Sequence, residues 1–332
     1  MYVISQNDLA DAPDASDTGQ TTLFVDDDTE QEVDEDPQRL QDKLQIRVDK
    51  VADWLSDNKM VLEPTKTKLI ITMTKELRAR RYPDLLITIK VGNQIVTPTP
   101  SEKLLGVVIS EDMTWHPHLW GEVWRKDNNW RGVIPQLLQR LAMLRYLGRV
   151  TSQEKMKSLI PGILTSKISY ALPLIGSIWG FEGYRPQEPM KLCFTKNDLQ
   201  SIQSIQRQAA LLMLPPPNGI DHRSTESVLK TVGWISVHQM IALSTLTLFM
   251  RIINYGIPEG ILQELSVLRD TRSAKGLYRT QRHNLNISLE NFMNQAVRLY
   301  NTLPANIKSM DYGDTLRCEL RRWVAAKVKI KP

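Results

Sequence analysis

"TTLFVDDDTEQEVDED", residues 21–36, sets an apolar, β-branched run directly against the densest cluster of acid in the chain. Leu23, Phe24 and Val25 suit a short strand, and Asp26, Asp27 and Asp28 suit the turn that ends it. Two readings of the acids are open: a solvated loop, the usual place for an acidic run, or a tight turn presenting a pair of metal-binding carboxylates. A helix-flanked calcium loop counted from Asp26 finds acids at Asp28 and Glu30. It fails where Gln31 replaces the required Gly and Pro37 the required Glu. Magnesium asks for less, one or two carboxylates plus the phosphates of a substrate, and two such ions can clamp the attacking and leaving oxygens of phosphoryl transfer. Asp26 and Asp27 at a strand end are candidates for that clamp.

The composition is that of a folded protein. Its 332 residues, 42% hydrophobic and 24% charged, are enough for one large domain or two ordinary ones. No run approaches the roughly 18 uninterrupted apolar residues of a spanning helix. The start, "MYVISQNDLADAPDASD", has no basic and apolar leader pattern, so no secretory signal is expected. Cys193 and Cys318 lie far apart without CxxC spacing, which points to free thiols in a reducing compartment. Charge is divided unevenly. Residues 1–40 hold 12 acids and one base, whereas residues 41–332 hold 41 bases and 25 acids. A basic body of net +16 is compatible with phosphate-rich partners, although it does not specify them.

Outward from the acidic stretch, residues 1–20 read as a loose lead-in. Apolar residues at 40, 44, 48, 51, 54 and 55 have helical spacing that should stop near Asp57 and Asn58. Glu30 to Asp36 read as a solvated loop before that helix. "LIITM" (69–73) reads as a strand, "LLITIKVGNQIV" as a hairpin around Gly92-Asn93, and "KLLGVVIS" as another β run. Residues 21–112 therefore predict a small antiparallel sheet with one helix, an α+β arrangement. Past Trp115 the periodicity predicts long helices near 118–148, 152–172, 198–214, 224–232 and 236–254, stacked as a bundle through residues such as Leu137, Leu138, Leu141, Leu144 and Leu147. The segment from 267 to 332 is basic, with a short helix expected near 288–302.

Several motifs in this order carry a resemblance. "FVDD" followed by Asp28-Thr29 resembles the F/Y-x-D-D turn of reverse transcriptases, in the form found in non-LTR (LINE-like, jockey-type) retrotransposons. "NDLAD" (7–11) is similar to the segment that precedes that turn. "WLSDNKMVLEPTKTKLIIT" resembles a downstream segment through Trp54, Asn58, Met60, Leu62, Pro64, Lys66 and Thr67, with Glu63 where Asn is usual. "KLLGVVISEDMTWHPHL" matches at Leu105, Gly106, Val107, Trp115 and His118. Tyr170, Trp179, Ile202-Gln203, Gln206, Ala209, Gly233-Trp234 and "LYNTLPANIK", with Tyr300 for the usual Trp, resemble the family's connecting region.

The resemblance implies RNA-directed DNA synthesis by two-Mg2+ nucleotidyl transfer, with an RNA template, a DNA primer and dNTP as partners, no membrane, and a nuclear place of work. It implies a partial polymerase palm at 21–112, a helical thumb and connection region at 113–266, and a basic C-terminal region at 267–332. Asp26 and Asp27 would hold the metal ions. Lys66 would assist the departing pyrophosphate as general acid or countercharge, its alternative being an exposed loop lysine. Leu105 and Gly106 would form the turn that grips the primer, Gly allowing close backbone approach, unless "LLGV" is simply a buried strand. Arg125, Lys126 and Arg131, interleaved with Trp120, Trp124 and Trp130, are candidates for a stacking and phosphate surface on a thumb-like helix, the alternative being burial of the tryptophans in a core. His116 and His118 have no Cys or third His nearby to complete a zinc site.

The chain also departs from the family. Such polymerases take a further metal-binding Asp and their fingers from upstream of the turn, and only 25 residues precede Asp26. The expectation is a chain that does not polymerise alone. A relic or domesticated nucleic-acid-binding module without catalysis is the alternative.

Overall fold

The computed structural model describes residues 19–24, 27–121, 131–176, 195–215, 223–256, 265, 278 and 291–327. It is an α+β protein in two compact units, Met1–Met113 and Thr114–Pro332.

The first unit begins with a hairpin. β1 (Gln20–Phe24) pairs antiparallel with β2 (Asp27–Gln31), Phe24 opposite Asp27 and Thr21 opposite Glu30. Helix α1 (Pro37–Asp57) follows, its first turn capped by the Asp36 carboxylate, which accepts from the Gln38 and Arg39 amides, with Pro37 where no amide is needed. It ends at Asn58, where Lys59 turns left-handed at φ 59°. Leu40, Leu44 and Val48 recur every four residues along α1 and pack on a core of Leu69, Ile71, Ile87, Ile89 and Val91. Two glutamines stitch the helix to the neighbouring strand. Gln45 accepts from the Lys90 amide at 2.7 Å and donates to its carbonyl at 2.9 Å, and Gln41 accepts from the Thr88 amide at 3.0 Å. These bonds satisfy backbone groups at the edge of β3 (Ile89–Val91) that another strand would otherwise take.

β3 turns at Gly92, φ 58°, into β4 (Gln94–Val96), and β5 (Ser101–Leu104) pairs with β6 (Val107–Ser110). The described strands thus form three separate two-stranded hairpins rather than one small sheet. A second helix, α2 (Lys75–Arg81), joins the single helix expected there. Residues 69–73 are not a strand. Leu69 makes one parallel bridge to Pro98, and Met73 donates its amide to Glu111 at 2.9 Å. The segment is apolar because it lines the core, which its pattern alone does not distinguish from sheet pairing.

The loop expected at Glu30–Asp36 is corrected most sharply. Its even-numbered acids all engage α1. Glu30 and Glu32 hold Arg47 at 2.6 and 2.5 Å, and Asp34 holds Arg39 at 3.0 Å and Lys43 at 2.9 Å. Asp36 is the cap. The two-residue period of an extended segment meets the four-residue period of Arg39, Lys43 and Arg47 on one helix face. Val33, between these acids, is 70% exposed while Arg47 is 3% exposed, the reverse of an ordinary amphipathic strand.

The second unit is helical. In place of one helix over 118–148, a short α3 (His116–Trp120) ends at Gly121, φ 89°, and α4 (Val133–Leu147) starts after Gly132. α5 (Gln153–Ile160) runs through a π turn at Pro161–Thr165 into α6 (Ser166–Ser169), and α7 (Leu172–Ile175) follows. Then come α8 (Lys196–Leu211), α9 (Thr225–Thr231), α10 (Val237–Tyr255), α11 (Phe292–Asn301), α12 (Ala305–Lys308) and α13 (Asp314–Lys327). α10 is the hub, against which α7, α8, α11 and α13 all pack. Capping boxes at Thr195/Asp198 and Ser236/Gln239 start α8 and α10.

Removing Arg47 leaves Glu30 and Glu32 buried without a countercharge. Arg47→Ala should cost about 3–5 kcal/mol, read by urea denaturation of the full chain, with hydrogen exchange accelerated over residues 20–57. Little change in either measurement would remove the ion cluster from the account of this unit's stability.

Candidate functional site

Two residues, 25 and 26, join β1 to β2, because Phe24 is the cross-strand partner of Asp27. Val25 and Asp26 lie outside the described residues. Strand alternation separates the acids that follow. Glu30 faces Arg47, and Asp28, two residues before it, lies on the same face. Asp27 and Thr29 lie on the other, with Asp27 exposed. Asp28 is open to solvent as a residue, yet partial desolvation of its carboxyl, followed by the charge of Glu30, pushes its pKa up to about 6. Of the two metal-binding candidates, Asp27 is the one among the described residues, and it is exposed. Its hard oxygen chemistry suits Mg2+, and among the described residues there is no group of three or more His, Cys, Asp or Glu disposed to hold a metal.

Lys66 sits exposed on the turn at residues 63–67, where its amide and that of Thr67 both donate to the Glu63 carbonyl at 3.1 Å. Glu63 caps this turn by accepting from the Thr65 hydroxyl at 2.9 Å, and these bonds hold its carboxyl below the usual range. Among the described residues no hydrogen bond or ion pair joins Lys66 to Asp27.

Leu105 and Gly106 are neither buried nor strand. They are the two-residue turn between β5 and β6, at φ 46° and 85°, and Leu105 is 42% exposed. Leucine in the left-handed region costs about 1–2 kcal/mol, and an exposed apolar side chain does not repay that by packing. Strain kept at a hairpin tip points to a use for the tip.

Of the basic surface expected near residue 125, only Trp120 and Arg131 lie among the described residues. Arg131 is exposed and precedes α4, its carbonyl accepting from the Gln136 side chain, while Arg125, Lys126, Trp124 and Trp130 lie outside the described residues. Trp120 is 38% exposed and uses its indole to bond the buried Asp198 at 2.6 Å. The other Asp198 oxygen accepts from the Thr195 amide and hydroxyl at 2.9 and 2.6 Å, so one carboxylate ties α3 to the start of α8. His116 and His118 are divided between solvent and core. Burial, and secondarily Lys167, pushes His118 down to about 4.

Charge follows the two units. Met1–Met113 carries 13 Lys and Arg against 22 Asp and Glu, net −9, and Thr114–Pro332 carries 29 against 15, net +14. The residue that sequence reading passed over is Arg47. Its signal is present as bases at 39, 43 and 47 set against acids at 30, 32, 34 and 36. No helix among the described residues is long and apolar enough to cross a membrane. No family model matches the chain, and no curated protein or solved structure matches it either.

Two measurements test this geometry. Asn-Gly suits a turn with both central residues at positive φ, so Leu105→Asn should raise stability by about 0.5–1 kcal/mol in urea denaturation; a loss would contradict the strain. His118 is neutral in the fold but protonates near its ordinary 6.5 when unfolded. Its contribution is whole above about pH 6.5 and is lost, up to about 3 kcal/mol, as pH falls toward 4. His118→Leu should flatten that part of the stability profile, and an unchanged slope would exclude the assignment.

Proposed function

We propose that this chain carries the metal-binding turn and a basic helical region of an RNA-directed DNA polymerase of the non-LTR retrotransposon type. The first unit would be part of the palm and the second a thumb and connection region. The hairpin register carries the proposal. With Phe24 opposite Asp27, the first described acid of the F-V-D-D stretch opens the second strand of a hairpin at its tip-side end. The strained, exposed Leu105–Gly106 turn supports it as a second tip suited to close approach by a nucleic-acid backbone.

In this reading Asp26 and Asp27 hold Mg2+ through carboxylate oxygens. When bound there, the ion would supply positive charge for phosphate oxygens and lower the pKa of a hydroxyl ligand. Lys66 supplies positive charge from an exposed turn to the departing pyrophosphate. Arg131, with Arg125 and Lys126, adds cationic charge to the second unit for the template and primer backbone. One observation favours a second reading, a nucleic-acid-binding module without catalysis: the net +14 of Thr114–Pro332 requires only a polyanion.

Binding of a primed RNA–DNA duplex by the full chain separates the two. Both readings expect affinity to fall steeply between 50 and 200 mM salt, on the order of 10³-fold or more for six or more phosphate contacts. The polymerase reading further expects a gain in affinity with Mg2+ that Asp26→Ala/Asp27→Ala abolishes, and primer extension in the same samples reads the chemistry directly. Salt-sensitive binding indifferent to Mg2+ and to the double substitution, with no extension, would leave only the binding module. Flat or absent binding would overturn both.

A further inference from the structure

We infer that Tyr255, backed by Tyr312 and Arg317, is a stacking site for an unpaired base of single-stranded nucleic acid, with Arg251 and Arg321 beside it for the strand's phosphates. The inference rests on the nucleic-acid reading that both functional proposals share, needs no metal, and adds a site in the second unit that neither proposal uses.

Three side chains converge where α10 ends and α13 begins. Tyr255 is the last residue of α10, which closes at Gly256 in the left-handed region, φ 68°. Its ring meets that of Tyr312 edge-on, with centroids 5.5 Å apart and planes at 69°. Tyr312 lies just before α13, whose Arg317 places its guanidinium carbon 5.1 Å from the Tyr312 ring centre and donates Nη2 to the Tyr312 hydroxyl at 3.0 Å. The other ring contacts among the described residues join Phe249, Tyr278 and Tyr300, of which Phe249 is fully buried and Tyr300 is 7% exposed. That cluster is core. Tyr255, by contrast, is 57% exposed, so the burial that ordinarily explains an aromatic pair accounts for only part of this one. The turn beside it is open as well: no heavy atom lies within 4 Å of the position a Cβ would take on Gly313.

Charge selects the occupant. α10 and α13 pack together and run antiparallel, since Gln239 near the start of α10 donates to the Ala325 carbonyl near the end of α13 at 3.4 Å, while Tyr255 and Tyr312 meet at the other end. Arg251 lies exposed one turn before Tyr255 on α10. Arg321 lies exposed one turn after Arg317 on α13, its Nη2 donating to the Gly233 carbonyl at 3.0 Å. Asp314 approaches Arg317 at 3.5 Å, but its own side chain is 95% exposed, and so solvated a pair leaves the guanidinium free to engage an anion. Arginines suit backbone phosphates through their planar forks, and the net +14 of the unit favours a polyanion. In a duplex each base face is covered by its neighbours, so an exposed ring stacks on a base outside the helix.

The test measures fluorescence anisotropy of a labelled oligothymidylate, an abasic strand of the same length and a duplex of that length, each titrated with the full chain, Tyr255→Ala, Tyr255→Trp and Arg317→Lys. The abasic strand carries the same phosphates, so any difference from oligothymidylate comes from the bases. The natural chain should bind oligothymidylate about tenfold more tightly than the abasic strand, Tyr255→Ala should remove that preference, and Tyr255→Trp should keep it. Arg317→Lys, which conserves charge without the planar guanidinium, should weaken the preference less than Tyr255→Ala does. Duplex affinity should be alike in the natural chain and Tyr255→Ala. A parallel titration with oligouridylate names RNA or DNA as the better strand, either preference supporting the site. If Tyr255→Ala melts below the natural chain, the natural chain's preference for bases and its retention in Tyr255→Trp carry the test. Failure of every strand to bind would overturn the nucleic-acid reading itself. Binding in which neither the bases nor Tyr255 makes a difference would overturn only the stacking site, and self-association lost in Tyr255→Ala would then assign the cluster to contact between copies of the chain.

Discussion

The first unit depends on the meeting of two charge stripes with different periods. Acids at every second residue from Glu30 to Asp36 run along a helix face that offers a base at every fourth, Arg39, Lys43 and Arg47. The exposed end, Asp34 with Arg39 and Lys43, contributes little individually. The buried end governs the arrangement, because Arg47, Glu30 and Glu32 are stable out of water only together. Two carboxylates for one guanidinium leave an excess of negative charge, and Asp28 nearby has its carboxyl pushed up to about 6, first by burial and then by the charge of Glu30.

This cluster explains how so short a hairpin can be placed at all. β2 is five residues of Asp, Thr, Glu and Gln alone, so it has no apolar side chain with which to dock on α1. Ion pairs supply direction where hydrophobic contact would supply only adhesion. The glutamines do similar work on β3, where Gln41 and Gln45 replace a missing neighbouring strand with side-chain amides. α1 thus organises the unit through polar contacts on one side and Leu40, Leu44 and Val48 on another.

Much of this was legible from local chemistry. Asn58 marks the end of α1, whereas its start at Pro37 lies three residues before the first apolar position that periodicity offered, Leu40. Gly92-Asn93 marks its hairpin, and the helices at 196–211 and 237–255 fall close to where their periodicity put them. The failures share a cause. β2 was taken for turn and loop because it is polar and acidic throughout, whereas sequence patterns mark strands by apolar alternation. Residues 69–73 were taken for a strand because they are apolar, although their role is to line the core. The helix expected over 118–148 was interrupted at Gly121 and Gly132, where apolar spacing carried no warning.

The sequence by itself determined where chain segments begin and end, which residues could supply oxygen ligands, and that acid and base are divided between the two ends of the molecule. These are properties of single residues and their near neighbours, and caps, turns and periods express them directly. Only the tertiary structure decided that Glu30 and Glu32 are buried partners of Arg47, that the Asp28 carboxyl is partly desolvated beside Glu30, and that Leu105 stands strained at a hairpin tip. Each of those depends on which face of one element meets another. A charge reads the same in a sequence whether water or a buried guanidinium surrounds it, and only packing determines which of the two it meets.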